Sequence, residues 1–248
     1  MGYPTLRAST VNSLPYPEST RLLHGSPRRP EGLLLAETAL VTAAAVLAIK
    51  AVAWGPLSHA IWLLAPAVLV VSALLPTAAR KAAFPRILPA DVTQCERSLA
   101  ALFKTCALIF PPTLTALWLL RYGGLQPPLR PATPQSGQWF AWLFYQFMYV
   151  AVAEEIFFRG YLQRNIRRLV RAAKWGRALP GQWAPIVIAA ACFAAAHVIV
   201  QGRMVSALTF LPGLVLGWLF VKTRSLLAPI LFHGLANVSY CLMSMALC

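Results

Sequence analysis

Residues 149–163 read YVAVAEEIFFRGYLQ and place two adjacent glutamates, Glu154 and Glu155, between apolar segments. The whole chain holds seven Asp and Glu residues, and no others follow Glu96. A carboxylate in the middle of a bilayer costs about 2.5–3.5 kcal/mol even on the lenient scale of insertion free energy. A pair of carboxylates in such a segment therefore either lies at the water boundary where the segment ends or needs compensating partners inside the membrane.

The composition around this stretch is that of a membrane protein. The chain has 248 residues, of which 58% are hydrophobic and 12% are charged, and its mean hydropathy is +0.63. Soluble domains carry about 25% charged residues, whereas a helix that crosses a bilayer needs roughly 20 mostly apolar residues. The sequence therefore predicts an all-α polytopic membrane protein that lies in the lipid bilayer.

Seven apolar segments qualify as membrane spans, and the glutamates lie in the fourth. The segments are residues 33–54, 57–77, 98–120, 139–163, 183–201, 204–221 and 226–247. Basic residues concentrate in the N-terminal tail and in the connectors 78–97, 164–182 and 222–225, which share one side of the membrane if connectors alternate. Because Lys and Arg favour cytoplasmic loops, we expect the N-terminus in the cytoplasm and the C-terminus outside.

The chain divides into four units by composition. We expect a disordered cytoplasmic tail, three N-terminal transmembrane helices, an extracytoplasmic Gly/Pro-rich loop and a four-helix core that contains the two glutamates; these are residues 1–32, 33–120, 121–138 and 139–248. Several prolines interrupt the apolar segments and are expected to kink helices, namely Pro66, Pro111, Pro112, Pro212 and Pro229.

The strong positive charge does not indicate a nucleic-acid partner. The net charge is +15, but the basic residues fall mainly between apolar segments, where membrane orientation and anionic lipid explain them. The five cysteines show no CxxC spacing and are interpreted as small core residues rather than a disulfide or metal framework. The sequence predicts no cofactor and no bound metal.

Three further ionisable residues lie near the two glutamates or in neighbouring spans. Arg159 follows Glu155 by four residues, so the two side chains share a helix face and can form an ion pair. Adjacent helical positions point about 100° apart, so Glu154 does not share this helix face. His197 and His233 lie in two later spans. Because ionisable groups inside membranes usually face one another, we expect these side chains to converge on one polar site.

The expected depths agree only in part with this convergence. With a rise of about 1.5 Å per residue, a fourth helix that extends through Gln163 places Glu154 about 14 Å from its cytoplasmic end. The same count places His233 roughly 10 Å and Asn237 about 17 Å deep, but His197 near 20 Å. A mismatch of several ångströms is left for His197, which helix tilt or a shorter fifth span must remove.

The ordered motifs resemble those of a known family. The sequence contains Glu154-Glu155-xxx-Arg159-Gly160, then Phe193-xxx-His197, then His233-xxx-Asn237, on successive apolar segments. This pattern is similar to the three motifs of the CPBP family, the CAAX protease and bacteriocin-processing intramembrane glutamic endopeptidases, which include the type II CAAX prenyl endopeptidases. The resemblance covers roughly residues 139–245.

The resemblance implies a catalytic role for four residues. Glu154 would act as general base, and His197 would help it to orient and deprotonate a water that attacks a peptide carbonyl. His233 and Asn237, one helical turn apart, would donate hydrogen bonds to the tetrahedral oxyanion.

Four other motif residues are expected to support the site. Glu155 and Arg159 would form a buried ion pair that holds the fourth span in place. Gly160 would allow another backbone to approach closely. Phe193 would be a packing residue that supports His197.

Other functions fit the same residues. Glu154, His197 and His233 form a set that could bind a catalytic zinc ion, although the HExxH spacing is absent. A catalytically silent membrane scaffold keeps the fold without the reaction, and a proton-coupled carrier also uses intramembrane Glu and His residues, but no inverted repeat is visible in the sequence.

The partner implied by the resemblance is a membrane-associated protein or peptide substrate. The motifs do not distinguish a prenylated CAAX tail, a bacteriocin-like peptide and a C-terminal sorting helix. A composition rich in Ala, Leu, Arg and Pro suggests a bacterial protein, so the expected location is the inner cell membrane, with multiple spans.

Overall fold

A computed structural model describes residues 30–125, 134, 137–173 and 179–247 of the chain. These residues form helices and short connections, with no β-strand among them. Residues 1–29 of the predicted disordered tail (1–32) and most of the predicted loop (121–138) lie outside the described residues, and residues 31 and 32 already belong to the first helix.

The N-terminal half contains three long helices. Helix α1 spans Glu31–Trp54, a 3₁₀ turn at Ser58–Ala60 leads into α2 at Ile61–Ala79, and α3 spans Val92–Tyr122. The start of α3 is capped on both sides: the Asp91 side chain accepts a hydrogen bond from the Gln94 N–H, and the Gln94 side chain accepts one from the Ala90 N–H. These two side-chain hydrogen bonds stabilise a helix start that lies before the apolar segment predicted from residue 98.

Helix α4, residues 139–172, carries the two glutamates and is continuous through five pieces. The pieces alternate between α and π geometry: Trp139–Phe144, the π-helical Tyr145–Ala151, Val152–Glu155, the π-helical Ile156–Gln163, and Arg164–Ala172. π-Helical turns are rare and occur frequently at functional sites. The second π segment begins directly after Glu155, and the first ends two residues short of Glu154.

The C-terminal part contains three more helices. Helix α5 spans Leu179–Gln201, a 3₁₀ segment at Met204–Thr209 leads into α6 at Phe210–Thr223, and α7 spans Leu227–Leu247. Helix α6 ends at Arg224, which adopts a left-handed backbone with a φ of 58°. The connection to α7 is therefore very short.

The predicted all-α polytopic membrane fold is confirmed. Six helices of the described ranges are long and apolar enough to cross a membrane, namely α1, the 3₁₀ turn with α2, α3, α5, the second 3₁₀ segment with α6, and α7. Helix α4 is not among the six, although its five pieces are contiguous over residues 139–172. The predicted count of seven spans and the cytoplasmic N-terminus stay predictions.

The helices pack around two apolar cores. Helices α1 and α2 contact α4, and α3 contacts α6 and α7. The first core gathers Leu69, Phe157 and Phe193, while the second includes Leu102 and Phe232. Large apolar side chains cover much of the outer surface, as expected where the surroundings are lipid rather than water.

Two of the predicted proline kinks are wrong. Pro212 and Pro229 each occupy the third position of a helix, α6 and α7 respectively. The N–H groups of a first helical turn have no partner within the helix, so a proline there removes no hydrogen bond and leaves the helix unbroken. Pro66, Pro111 and Pro112 do lie inside helices, as expected.

Helix α4 is longer than predicted, and this brings the glutamates level with His197. The helix continues past Gln163 to Ala172, and α5 begins at Leu179. Glu154 thus lies 18 residues before the end of α4, and His197 lies 18 residues after the start of α5. In an antiparallel pair of helices these positions have the same depth, which removes the mismatch left by the predicted boundaries.

Candidate active site

Glu155 joins α4 to α7 at the centre of the protein. Its carboxylate is fully buried, and Oε1 accepts hydrogen bonds from Nη1 of Arg159 (3.1 Å) and from Nδ1 of His233 (2.8 Å). The contact with Arg159 is the ion pair expected from the i, i+4 spacing. The contact with His233 was not expected, because the family resemblance implied that His233 donates a hydrogen bond to the substrate oxyanion.

Arg159 is buried and is held on two further sides. Its Nη2 donates to the carbonyl oxygen of Gly213 in α6 (3.1 Å), and its guanidinium lies 4.8 Å from the ring centroid of Phe193. One turn further along α4, Nε2 of Gln163 donates to the carbonyl oxygen of Gly217 (3.1 Å). Both hydrogen bonds join α4 to α6, and the one from Arg159, together with its ion pair to Glu155, provides compensation that a buried guanidinium requires.

Glu154 faces both histidines with one oxygen. Its Oε2 lies 3.7 Å from Nε2 of His233 and 4.0 Å from Nε2 of His197. This oxygen is buried and has no hydrogen-bond partner among the described residues, although the side chain as a whole is 18% exposed. A buried carboxylate oxygen without a donor is free to bind a water or a substrate group.

The tautomer of His197 is set by the backbone of α5. Its Nδ1 lies 2.9 Å from the carbonyl oxygen of Phe193, which can only accept, so Nδ1 carries a proton. In the neutral ring Nε2 is then an acceptor, and this is the nitrogen that faces Glu154. The ring of Phe193 lies 4.4 Å from the His197 ring and packs edge-on against Phe158 at 5.0 Å. Phe193 therefore contacts both His197 and the glutamate helix.

His233 is the most constrained of the site residues. Nδ1 donates to Glu155 and Nε2 faces Glu154, so a carboxylate lies on each side of the ring. The ring is nearly inaccessible, with 7% of the side chain exposed. A free donor on Nε2 is present only when the ring carries both protons.

Asn237 contacts a residue that the sequence analysis missed. Its Nδ2 donates to Oε1 of Gln146 in the first π-helical piece of α4 (2.9 Å). Gln146 is a polar residue in the otherwise apolar or aromatic stretch FYQFMYV of α4, and that contrast is the signal that could have identified it. Asn237 thus faces α4 two turns before Glu154.

The expectation for Gly160 is wrong in its detail. An added Cβ at Gly160 would lie 2.5 Å from Cζ of Phe84, an aromatic side chain of the connection between α2 and α3, and not against another backbone. Gly234 has the same relation to the ring of Phe147, with 2.4 Å to the nearest ring atom. Each glycine makes room for an aromatic ring and directly follows a motif residue, Arg159 or His233.

The described residues do not have the spacing that a metal site requires. No group of three His, Cys, Asp or Glu residues in the described part of the chain is spaced to hold a metal ion. Glu154 and the two Nε2 atoms come nearest, and their separations of 3.7 and 4.0 Å exceed the roughly 3.3 Å between ligands about 2.0 Å from a tetrahedral zinc ion.

Comparison with known proteins supports the resemblance seen in the motifs. Residues 136–239 match the family model described as type II CAAX prenyl endopeptidase Rce1-like. This range contains all three motifs, and the match supports the CPBP family suspected from them. No protein of curated function and no solved structure matches the chain significantly.

Proposed function

We propose that this chain, which belongs through residues 136–239 to the type II CAAX prenyl endopeptidase family, is an intramembrane glutamic endopeptidase. The family is one of membrane peptidases, and the fold is that of a multi-pass membrane protein. The proposal adds the chemical mechanism and the residue roles. The observation that carries it is the unpartnered Oε2 of Glu154, which faces two imidazole nitrogens.

Glu154 is the general base, and His197 orients the attacking water. Hydrogen bonds from water to an acceptor are about 2.8 Å long, so one water that donates to two acceptors needs them about 4–4.5 Å apart. The 4.0 Å between Oε2 of Glu154 and Nε2 of His197 fits this requirement. The water oxygen is then held between two acceptors, with its lone pairs free to attack a carbonyl.

The reaction balances without a cofactor. Glu154 takes a proton as the water oxygen bonds to the peptide carbonyl carbon, and the carbonyl oxygen becomes an oxyanion. The C–N bond then breaks as the oxyanion re-forms a carbonyl, and the departing nitrogen receives the proton held by Glu154. The products are a carboxylic acid and an amine.

Two donors stabilise the oxyanion. Asn237 supplies an amide N–H, and His233 supplies Nε2–H when its ring is doubly protonated. Protonation also balances the charge: among the described side chains of the site, Glu154 and Glu155 face one guanidinium, that of Arg159. An imidazolium at His233 makes this buried group neutral, which a low-dielectric interior favours.

Glu155 has a wider role than the structural ion pair predicted from the sequence. Its Oε1 accepts from both Arg159 and His233, so it holds the His233 ring in position and fixes Nε2 as the nitrogen that faces the reaction. The Arg159 contact with Gly213 anchors this pair to α6.

The substrate is a membrane-associated protein or peptide, such as one with a C-terminal sorting or processing segment. The residue usage of the chain suggests a bacterial protein. Its basic connectors suggest that it lies in the inner membrane with the N-terminus in the cytoplasm. The substrate can be identified by comparative proteomics, as a membrane protein that stays unprocessed in a strain from which this protein is deleted.

The test uses the full chain in proteoliposomes with three fluorogenic probes. These are a farnesylated peptide with a CAAX box, the same peptide without the farnesyl group, and a peptide with an apolar C-terminal helix. We expect the wild type to cleave at least one probe and Glu154→Gln to cleave none. If the wild-type protein cleaves none of the probes, and the deletion strain accumulates no unprocessed precursor, the results favour the silent scaffold.

The zinc alternative has its own test. Activity of the wild type is measured in metal-free buffer with and without 1,10-phenanthroline. Full activity with the chelator supports the glutamic mechanism. Loss of activity that added zinc restores would replace it with a zinc mechanism on the same three residues.

A further inference from the structure

The hydrogen bond between Gln146 and Asn237 connects the two helices that carry the proposed base and oxyanion donors. Gln146 precedes Glu154 by eight residues on α4, and Asn237 follows His233 by four residues on α7. Both pairs of residues therefore meet across the same helix interface: Gln146 with Asn237 at 2.9 Å, and Glu154 with His233 at 3.7 Å.

The π-helical geometry of α4 helps to align these contacts. Positions eight apart on a regular α-helix differ by about 80° in direction, at about 100° per residue. The segment Tyr145–Ala151 is π-helical, and each π turn accommodates an extra residue. This changes the rotation so that Gln146 and Glu154 both face α7.

An asparagine can donate at an oxyanion only if its amide has the correct orientation. The NH₂ and C=O groups of the amide are almost identical in shape, and rotation by 180° exchanges a donor for an acceptor. An acceptor oxygen directed at a developing negative charge would repel it. A catalytic asparagine therefore needs a neighbour that distinguishes the two ends of its amide.

We propose that Gln146 is a positioning residue whose Oε1 fixes the amide of Asn237 with its nitrogen, not its oxygen, on the reactive side. The bond to Gln146 occupies one of the two N–H bonds of Nδ2 and leaves the other for the oxyanion. This inference rests on the proposed function, because it assigns Gln146 a role only if Asn237 donates to substrate.

The first test compares Gln146→Leu, Gln146→Met and Gln146→Glu in the proteoliposome assay. Leu and Met remove the strong acceptor while keeping an apolar side chain of similar size, so we expect kcat to fall about tenfold or more with KM within about twofold of the wild type. The loss should stay below the 10²–10³ typical of a missing oxyanion donor. Glu keeps an acceptor at the same position and should restore most of kcat.

A double-mutant cycle separates positioning from simple packing. If Gln146 acts through Asn237, Gln146→Leu should lower kcat in the wild-type background and have no further effect in Asn237→Ala. Independent losses in kcat that multiply in the double variant would overturn the proposal, and so would a wild-type kcat for both Gln146→Leu and Gln146→Met.

Gln163 provides a matched control on the same helix. It is a buried glutamine that donates to the backbone of α6 and not to Asn237. We expect Gln163→Leu to lower the melting temperature while kcat of the folded protein is unchanged. If Gln163→Leu and Gln146→Leu lowered kcat equally, the loss would come from removing any glutamine of α4. That result would overturn the specific role of Gln146 in positioning Asn237.

Glu154→Gln, measured in the same series, separates the two levels of inference. An inactive Glu154→Gln together with a fully active Gln146→Leu overturns only the role of Gln146. A fully active Glu154→Gln overturns the proposed function itself, whatever the Gln146 variants do.

Discussion

Nδ1 of His233 lies 2.8 Å from Oε1 of Glu155, so the second glutamate of the pair supports the histidine that faces the first. Glu155 also binds Arg159 through the same oxygen. Each glutamate has a buried Oε2 without a hydrogen-bond partner, but their environments differ: Oε2 of Glu154 faces the Nε2 atoms of His197 and His233, whereas Glu155 accepts two hydrogen bonds on Oε1.

Glu154→Gln should abolish cleavage and leave stability nearly unchanged. The amide keeps the shape of the side chain but cannot take a proton from water, and Oε2 of Glu154 has no recorded hydrogen bond to lose. Cleavage and the melting temperature are measured on one detergent-purified sample. Normal cleavage by this variant, combined with an inactive but stable Glu155→Gln, would reverse the roles of the two glutamates.

Glu155→Gln should lose both stability and activity. Removal of one partner from a buried ion pair typically costs about 3–5 kcal/mol, and here the change also weakens the hydrogen bond to His233. The double variant Glu155→Gln with Arg159→Met removes both charges and should recover part of the stability. Cleavage should not recover with it, because His233 still lacks its carboxylate; recovery of full activity would limit Glu155 to a structural role.

Asn237→Ala should slow cleavage by about 10²–10³, the usual effect of the loss of one oxyanion donor. The protein should still insert and fold, as judged by size-exclusion chromatography and melting. Ser244→Ala is the control on the same helix, since Ser244 bonds only to the backbone oxygen of Cys241. Wild-type turnover by Asn237→Ala would assign Asn237 to helix packing.

Gly160→Ala should destabilise the protein through a clash with Phe84. The new Cβ would lie 2.5 Å from the Phe84 ring, and overpacking of this kind typically costs about 1–3 kcal/mol. Adding Phe84→Ala should relieve the clash and restore part of the loss in melting temperature. Gly32→Ala is the control, because no atom lies within 4 Å of its added Cβ; an equal loss in that variant would discount the role of Phe84.

The orientation of the chain is tested with reporter fusions. Fusions after Arg171 and after Lys222 should report the cytoplasm, and a fusion after Gly124 should report the outside, because Lys and Arg concentrate in cytoplasmic connectors. Helix α4 must cross the membrane for this pattern to hold. A cytoplasmic signal at Gly124 would contradict the seven-span topology.

Much of the architecture could be predicted from the chain alone. Long apolar segments determine a helical membrane protein, since only structures that satisfy their own backbone hydrogen bonds cross a bilayer. The pairing of Glu155 with Arg159 is a local property of a helix and follows from their spacing. The three ordered motifs were enough to indicate the family.

Boundaries were less predictable, and the error had a consequence. The end of α4 was expected at Gln163, because the following residues are basic, yet the helix continues through Arg164–Ala172. Hydropathy reports where lipid contact ends and not where helical hydrogen bonding ends. The apparent depth mismatch of His197 resulted from this difference.

The chemistry of individual atoms depended on tertiary structure. The sequence by itself determined which residues are ionisable, which of them share a helix face and that the surroundings are apolar. Which nitrogen of His233 meets Glu155, that Asn237 bonds Gln146, and that Phe84 fills the space beside Gly160 depend on contacts between helices far apart in the chain. Such contacts are set by the rotation and depth at which whole helices pack, and helix periodicity specifies a face but not the partner that covers it.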